Sequence, residues 1–373
     1  MQRTYSPLTI HRSVVGFCAA CLFFVMQDCA IAAANNTLEK IRETGVIVLG
    51  YRIGSSPFSF LDATLKPVGY SMDLCARVVD NIRETLQLRD LKVKLVAVTS
   101  VTRIPLVANG TVDLECGVTT NTAERQKIAS FSVTTFVAQT RLLSKKSAGI
   151  RSLEDLRGQT VVSTVGTTSI EYLNEVNATR KLGMRILAGK EDVDSFLMVQ
   201  TDRAVAYAMD DVLLYSLVAK ATDPPSFSIS ERTLTVEPYG IALPKDDPAF
   251  KRLVDGVIVG LFRSGEIYAM YKRWFESPIP PYGRNLRLPM SKALQQVIAK
   301  PTDSSDPKDY QVEEITHASV VSDEDSSVGC SLALEAHCGV APPRHSTAMT
   351  RRRALHCVPT AARSIDTFGL TRH

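Results

Sequence analysis

The sequence predicts an α/β protein with two units, each a mostly parallel sheet flanked by helices. Uniformly apolar strands such as 46–51 alternate with amphipathic helices such as 71–86, the pattern typical of parallel sheets. A second alternation of the same kind begins near residue 152. The 373 residues, 45% of them hydrophobic, are enough for two cores. The formal net charge of +4 is too small to indicate a nucleic-acid or acidic-membrane partner.

The N-terminus has the three-part pattern of a secretory signal peptide, which we predict over residues 1–34. Basic residues stand at the front, an apolar run covers 13–26, and alanines accumulate just before Asn35. The run is shorter than the roughly 20 apolar residues that a membrane span needs. We therefore expect cleavage between Ala32 and Asn35, and an exported, soluble mature protein.

Polar side chains in the first unit gather directly after its strands and at the starts of its helices. The strands are predicted at 46–51, 93–98 and 111–116, and the side chains are Arg52, Ser100, Arg103, Thr120 and Arg125. An α/β sheet presents its ligand site at this edge, and helix N-termini attract anions. The alternative is that Ser100 and Thr120 are ordinary helix caps and the arginines are surface charges.

The second unit and the chain after it continue the alternation. We predict strands at 131–143, 160–164, 184–187, 204–209 and 237–243, and helices at 166–176, 192–199, 212–219, 248–264, 265–275 and 291–300. Ser, Asp, Thr and Pro dominate beyond Pro301, where no apolar period persists. We therefore predict that residues 301–373 are largely disordered.

The cysteines in the body of the chain, Cys75 and Cys116, allow several interpretations. Disulfides form in exported proteins, but spacing alone does not pair these two with each other or with the cysteines after residue 329. No C-x-x-C motif is present among the cysteines that follow the predicted signal peptide, so the sequence does not predict a zinc site. Cys116 lacks a visible base, which favours a buried structural cysteine over a nucleophile.

Seven motifs, in order, resemble the periplasmic polar amino-acid-binding proteins of ABC transporters, and in particular their glutamate/aspartate-binding branch. They are the strand ending at Arg52, TSVTRIPL, ECGVTTNTAER, VGTTS, YAMDD, YGIALPKDDP and SGEIYAMYKRWF. The resemblance implies a two-lobed, hinged clamshell of type II, with lobe 1 at 36–137 plus 239–300 and lobe 2 at 138–238. It implies a periplasmic monomer that delivers an amino acid to a membrane permease, with no cofactor and no metal.

The resemblance also assigns the backbone end of the ligand. Arg125, with Thr120 and Thr168, would hold the α-carboxylate, because the planar fork of arginine can bond a carboxylate at two points. Thr168 stands at a helix start, where the helix dipole also favours the binding of the α-carboxylate. Asp210 would accept the α-ammonium, and a helix N-cap is its alternative role.

Arg52, Ser100 and Arg103 would form the side-chain end of the pocket. Two arginines there favour L-glutamate or L-aspartate, because an apolar ligand side chain would leave both guanidinium groups buried and unpaired.

Two departures from the family pattern concern the ligand. Val118 stands where a serine is usual near the ammonium, and removes one acceptor. Asp192 stands where a histidine is usual, and would repel a ligand carboxylate or pair with Arg103. Glutamine or asparagine is therefore the alternative ligand. An exported dehydratase-like enzyme, with Glu115 or Asp192 as its acid or base, is a rival function, and a sensor or adhesion module is another.

Overall fold

The computed structural model describes Gln2, residues 36–281 and residues 283–311. The predicted signal peptide, apart from Gln2, and the tail beyond residue 311 lie outside the described residues. The helices are α1 (Thr37–Thr44), α2 (Tyr70–Thr85), α3 (Arg103–Ala108), α4 (Ala123–Gln126), α5 (Thr168–Thr179), α6 (Asp192–Gln200), α7 (Asp211–Lys220), α8 (Pro248–Ser264), α9 (Glu266–Phe275) and α10 (Lys292–Ala299). Among the described residues, no helix is both long and apolar enough to cross a membrane.

The strands form two larger sheets and one small one. They are β1 (Val46–Tyr51), β2 (Gly54–Ser55), β3 (Ser59–Leu61), β4 (Pro67–Val68), β5 (Lys92–Ala97), β6 (Leu114–Glu115), β7 (Ala129–Phe131), β8 (Phe136–Lys145), β9 (Thr160–Thr164), β10 (Arg185–Gly189), β11 (Ala206–Asp210), β12 (Phe227–Ile229), β13 (Thr235–Tyr239) and β14 (Ala242–Pro244). The small sheet has the order β2-β3-β4.

The first larger sheet has the order β5-β1-β6-β14-β7, and we call it and its helices lobe 1. Strands β5, β1 and β6 are parallel, whereas β14 is antiparallel to β6 and β7. Helix α2 packs on β1 and on α8, and α8 also contacts α9 and α10. Lobe 1 therefore joins a parallel centre from the first half of the chain to strands and helices from its end.

The second larger sheet has the order β10-β9-β11-β8-β12, with β13 also paired to β8, and we call it and its helices lobe 2. Strands β10, β9 and β11 are parallel, and β8 is antiparallel to β11, β12 and β13. In the β8–β13 register, Ala138 lies opposite Glu237 and Val137 opposite Pro238. The two predicted crossing points between the lobes are thus neighbours in one antiparallel pair. Both sheets are mixed because antiparallel strands are added to a parallel centre.

Most predicted elements are present within a few residues of their predicted bounds, and the differences have local causes. The run predicted as one strand at 131–143 is divided into β7 and β8, and the run at 237–243 into β13 and β14. The capping pattern at Ser152 produces only a short 3-10 turn, Glu154–Leu156, in which the Asp155 carboxylate accepts bonds from the backbone N–H groups of Arg151 and Ser152. The aromatic stripe of α9 is buried, as predicted, at Ile267, Met270, Tyr271 and Trp274.

The segment just after Pro301 differs from the predicted disorder, because residues 301–311 pack against lobe 1. The Tyr310 side chain is 2% exposed, and its hydroxyl oxygen lies 2.8 Å from Thr134 Oγ1. The backbone N–H of Thr134 donates to the carbonyl of Thr302 at 2.7 Å. Asp303 forms an ion pair with Lys251 at 2.9 Å. A polar composition predicted disorder here, but a single buried tyrosine and backbone hydrogen bonds order the segment.

Cys75 and Cys116 form a disulfide that joins α2 to the end of β6, and both are fully buried. The pairing gives Cys116 a structural role and removes it as a nucleophile. It also fixes the start of the turn from Gly117 to Asn121 that reaches the cleft between the lobes.

We expect a variant spanning residues 36–300 to melt about 4–8 °C below one spanning 36–311. Removing the segment exposes the site of Tyr310 and leaves the Thr134 N–H without its acceptor, a loss of about 2 kcal/mol at about 2–4 °C per kcal/mol. Calorimetric melting measures the difference. Tyr310→Phe in the longer variant, which keeps the ring, should lose only the hydroxyl contribution of about 1 kcal/mol. Equal melting temperatures for the two lengths would restore the prediction of disorder from Pro301.

We also expect the double variant Cys75→Ala/Cys116→Ala to lose about 2–5 kcal/mol of unfolding free energy, because the disulfide restricts the unfolded chain across a separation of 41 residues. Urea denaturation measures this loss. The wild type with reductant should approach the same midpoint. A double variant as stable as the oxidised wild type would show that the bond contributes nothing.

Candidate functional site

Arg52 lies at the carboxyl end of β1, where it spans the cleft between the lobes. Its side chain is 1% exposed. Nη1 donates to Ser100 Oγ at 3.0 Å within lobe 1, and Nη2 donates to Glu191 Oε2 of lobe 2 at 2.7 Å. Burial lowers the pKa of Arg52, but Asp192, Glu191 and Glu115 outweigh it and the net shift is upward. The charge of Arg52 is therefore compensated by the protein itself.

Arg103, the first residue of α3, is the least compensated of the cleft arginines. It is 3% exposed, its Nη1 donates to the neutral carbonyl of Val118 at 2.7 Å, and its buried Nε has no hydrogen-bond partner. Burial and then the positive charge of Arg125 lower the pKa of Arg103 to about 9, with a smaller contribution from Arg52. Arg103 is therefore close enough to both arginines for their charges to lower its pKa, and an anion beside it would relieve an electrostatic cost.

Arg125 reaches across the cleft from α4. Its Nη1 donates to the carbonyl of Thr120 at 2.9 Å and its Nη2 to the carbonyl of Gly166 in lobe 2 at 3.3 Å. Burial lowers the pKa of Arg125, and the acids Glu171 and Glu237 oppose that shift. Both hydrogen bonds go to neutral groups, so the guanidinium retains its capacity to attract an anion.

Two buried carboxylates of lobe 2, Asp210 and Glu237, lie within electrostatic range of Arg125. Thr140 Oγ1 is 3.2 Å from an oxygen of each, Thr168 Oγ1 donates to Glu237 at 2.7 Å, and the Tyr239 hydroxyl donates to Asp210. Burial and the charge of Glu237 raise the pKa of Asp210 to about 8. This acid pair favours a cation next to it, because two buried negative charges repel each other.

Asp192 is buried and does not pair with Arg103, which was one of the two alternatives predicted for it. Its Oδ1 accepts hydrogen bonds from Thr164 Oγ1 at 2.9 Å and from the Tyr207 hydroxyl at 3.2 Å. Its Oδ2 accepts a longer bond, 3.4 Å, from Ser55 of lobe 1. Asp192 opens α6 and its carboxylate is directed by these hydroxyls, while the neighbouring Glu191 makes the ion pair with arginine.

The two lobes are in close contact at Gly166. Its φ angle is +75°, a conformation that favours glycine, and an added Cβ would lie 3.0 Å from the backbone carbonyl of Ser100. The ion pair of Arg52 and the bond of Arg125 also cross the cleft. The lobes are thus bridged by several contacts.

The alternative that the predicted site residues are ordinary helix caps holds only in part. Ser100 accepts from Arg52, and the N-caps of α3 and α4 are Thr102 and Thr122. Asp210 does occupy the N-cap position of α7, but its side chain makes no capping bond. Thr168 is the first residue of α5, after the N-cap Thr167. The predicted site residues line one cleft, whereas their individual ligand roles remain predictions.

Sequence reasoning missed Glu191 and Glu237. The signal for Glu191 was its position at the start of a predicted helix, next to Asp192. Glu237 lies inside a strand next to Pro238, and a charged residue in a short strand that crosses between lobes could have marked it. Neither signal identifies the residue with which the acid interacts. For Glu191 that residue is Arg52, which is distant from it in the sequence.

Glu115, a candidate acid or base, is fully buried at the end of β6. Its Oε2 accepts from Thr119 Oγ1 at 2.6 Å, and its Oε1 has no hydrogen-bond partner. Among the described residues, no group of three or more His, Cys, Asp or Glu side chains is arranged to hold a metal ion.

A family of known proteins matches most of the chain. The family described as bacterial extracellular solute-binding proteins, family 3, matches residues 47–277. The L-glutamate/L-aspartate-binding protein of Pseudomonas aeruginosa is 50% identical over 272 residues, which cover 73% of this chain and 90% of that protein. The glutamate/aspartate import solute-binding protein of Escherichia coli is 45% identical over 278 residues, covering 74% and 92%.

Solved structures share the fold at lower identity. An ancestral arginine-binding protein bound to glutamine has a TM-score of 0.56 and 26% identity, covering 62% of this chain and 98% of that one. An ancestral amino acid-binding protein described as a precursor of cyclohexadienyl dehydratase has a TM-score of 0.55 and 26% identity, covering 65% and 100%. The predicted fold class, a two-lobed α/β protein, is confirmed.

Proposed function

The chain belongs to the bacterial extracellular solute-binding proteins of family 3, and from that premise we propose that it captures L-glutamate or L-aspartate between its lobes for import. The names of the two relatives described above support the ligand class. We further propose that the mature protein is an exported periplasmic monomer that delivers its ligand to the permease of an ABC transporter.

The proposal rests on one observation: the cleft contains both a group that attracts an anion and a group that attracts a cation. Arg125 offers a positive fork, and the nearby buried acids Asp210 and Glu237 offer acceptors whose ionised form a cation favours. An α-amino acid carries a carboxylate and an ammonium on one carbon, so it complements both groups at once. We assign the α-carboxylate to Arg125, Thr120 and Thr168, and the α-ammonium to Asp210.

The assignment of the ligand side chain rests on the surroundings of Arg103. Arg103 lies within electrostatic range of Arg125 and Arg52, and its pKa is lowered chiefly by burial. A side-chain carboxylate bonded to Arg103 offsets that cost, whereas an apolar side chain does not. The acid pair, which includes Glu237, supplies negative charge on the ammonium side even though Val118 offers no hydroxyl.

A binding protein is favoured over an enzyme for this cleft. The relatives are named as binding proteins. The candidate acids are engaged by hydroxyls, Asp192 by Thr164 and Tyr207 and Glu115 by Thr119. The likeness to a precursor of a dehydratase keeps the enzyme as the second candidate. Unchanged glutamate and aspartate after prolonged incubation, followed by NMR, supports the binding function, and turnover of either contradicts it.

Titration calorimetry with glutamate, aspartate, glutamine and asparagine tests the ligand assignment. We expect Arg125→Ala to weaken every ligand by about 100-fold or more, because all four share the α-carboxylate. We expect Arg103→Ala to weaken the dicarboxylates by roughly 10- to 100-fold more than the amides, since a hydrogen bond between charged groups contributes about 1.5–3 kcal/mol.

The exposed Arg252 on α8 provides the matched control, and Arg252→Ala should leave all four affinities unchanged. Equal losses for glutamate and glutamine in Arg103→Ala would mean that Arg103 does not read the side chain. Wild-type protein that binds none of the four amino acids would refute the proposed ligand class.

Binding should also release a proton from Asp210. With its protein neighbours alone, burial raises the pKa of this carboxyl to about 8, so it holds a proton at neutral pH. A ligand ammonium favours the ionised form and lowers that pKa. Affinity should therefore rise with pH up to about 8 and flatten above it.

Calorimetry at pH 7 in buffers of different ionisation enthalpy measures the released proton, and the count should approach one. Asp210→Asn should bring the count close to zero and weaken binding. A wild-type count of zero at pH 7 would contradict the ammonium assignment.

A further inference from the structure

The ion pair of Arg52 and Glu191 joins the two lobes at the side-chain end of the cleft. The Nη2–Oε2 distance is 2.7 Å, and the exposed fractions of the two side chains are 1% and 19%. Arg52 Nη1 is bonded to Ser100, and its Nε is buried without a partner. Both terminal nitrogens of Arg52 are thus engaged by protein groups.

The hydrogen bonds of Arg103 differ from those of Arg52. Its Nη1 donates to the neutral carbonyl of Val118, and no ion pair of Arg103 is found among the described residues. Of the two arginines at this end, one has a carboxylate partner from the opposite lobe and the other does not. A ligand carboxylate that enters must compete with Glu191 for Arg52 but has no carboxylate competitor at Arg103.

We propose that Glu191 sets the preference between dicarboxylate and amide ligands by holding Arg52 and leaving Arg103 alone to bond the ligand side chain. This inference rests on the proposed function. Glu191 acts through Arg52 and is a positioning residue. An amide ligand is tolerated better as a result, because its carbonyl can accept from Arg103 while Arg52, held by Glu191, contributes less to the binding of a ligand carboxylate.

Asp192, though adjacent, does not fill this role. Its oxygens accept from the hydroxyls of Thr164, Tyr207 and Ser55, and although its charge raises the pKa of Arg52, it forms no ion pair with that guanidinium. The ion pair with Arg52 belongs to Glu191. The preference should therefore respond to substitution of Glu191 and not require a change at Asp192.

The test is Glu191→Gln, which keeps the size of the side chain and removes its charge. The measured quantity is the ratio of the glutamine Kd to the glutamate Kd, obtained by calorimetry. We expect this ratio to rise about tenfold, since one charged hydrogen bond of Arg52 becomes available to the ligand carboxylate. Glu191→Asp, which keeps the charge but shortens the side chain, should give a smaller rise.

Glu175→Gln, on the exposed face of α5 in the same lobe, removes the same charge away from the cleft and should leave the ratio unchanged. In an Arg52→Gln background, Glu191→Gln should no longer change the ratio, because the effect passes through Arg52. Thermal melting of each variant establishes that it is folded before its ratio is compared.

Each outcome decides between the proposals. If glutamate and glutamine lose or gain affinity equally in Glu191→Gln, the pair only holds the lobes together and the inference is overturned. A ratio that still rises in the Arg52→Gln background overturns it as well. If the wild type binds neither glutamate, aspartate nor their amides, the proposed function fails and the inference with it.

Discussion

The rest of the structure depends on one constraint, the burial of three positively charged arginine side chains in a single confined cleft. Arg52, Arg103 and Arg125 are brought within electrostatic range of one another, and each guanidinium is expensive to remove from water. The protein compensates them unequally. Arg52 has a carboxylate from the opposite lobe, Arg125 has carbonyls and more distant acids, and Arg103 has one carbonyl. Because of this inequality, the electrostatic potential differs from one end of the cleft to the other. The charged groups of a zwitterionic ligand are therefore distinguished by charge as well as by shape.

The fold delivers these charges because parallel strands from both lobes end at the cleft. Arg52 follows β1, the turn at Val118 follows β6, Gly166 follows β9, Glu191 follows β10, and Asp210 ends β11. Ligand sites in α/β sheets lie at this carboxyl edge for the same topological reason. The antiparallel pair β8 and β13 adds Thr140 and Glu237, so the strands that cross between the lobes also contribute to the ammonium pole.

The sequence predicted well what depends on local pattern. Apolar periodicity located nearly all helices and strands, and the motif order located the arginines and Asp210. What it could not predict were pairings between distant segments. Glu191 meets Arg52 only because the lobes close, and the ordering of 301–311 depends on Tyr310 reaching Thr134. The motif order indicated Asp192 as a site residue, a role that stays a prediction, and its hydroxyl partners come from strands whose approach no local pattern encodes.

Gly166 lies where the two lobes are in close contact. A Cβ at Gly166 would meet the backbone of Ser100, which cannot move aside as a flexible side chain could. A single methyl group there would push the backbone at Gly166 away from Ser100 by a few tenths of an ångström. The bond from Arg125 to the carbonyl of Gly166, which crosses the cleft, would then lengthen. The absence of a side chain at this position thus permits the backbones of the two lobes to meet.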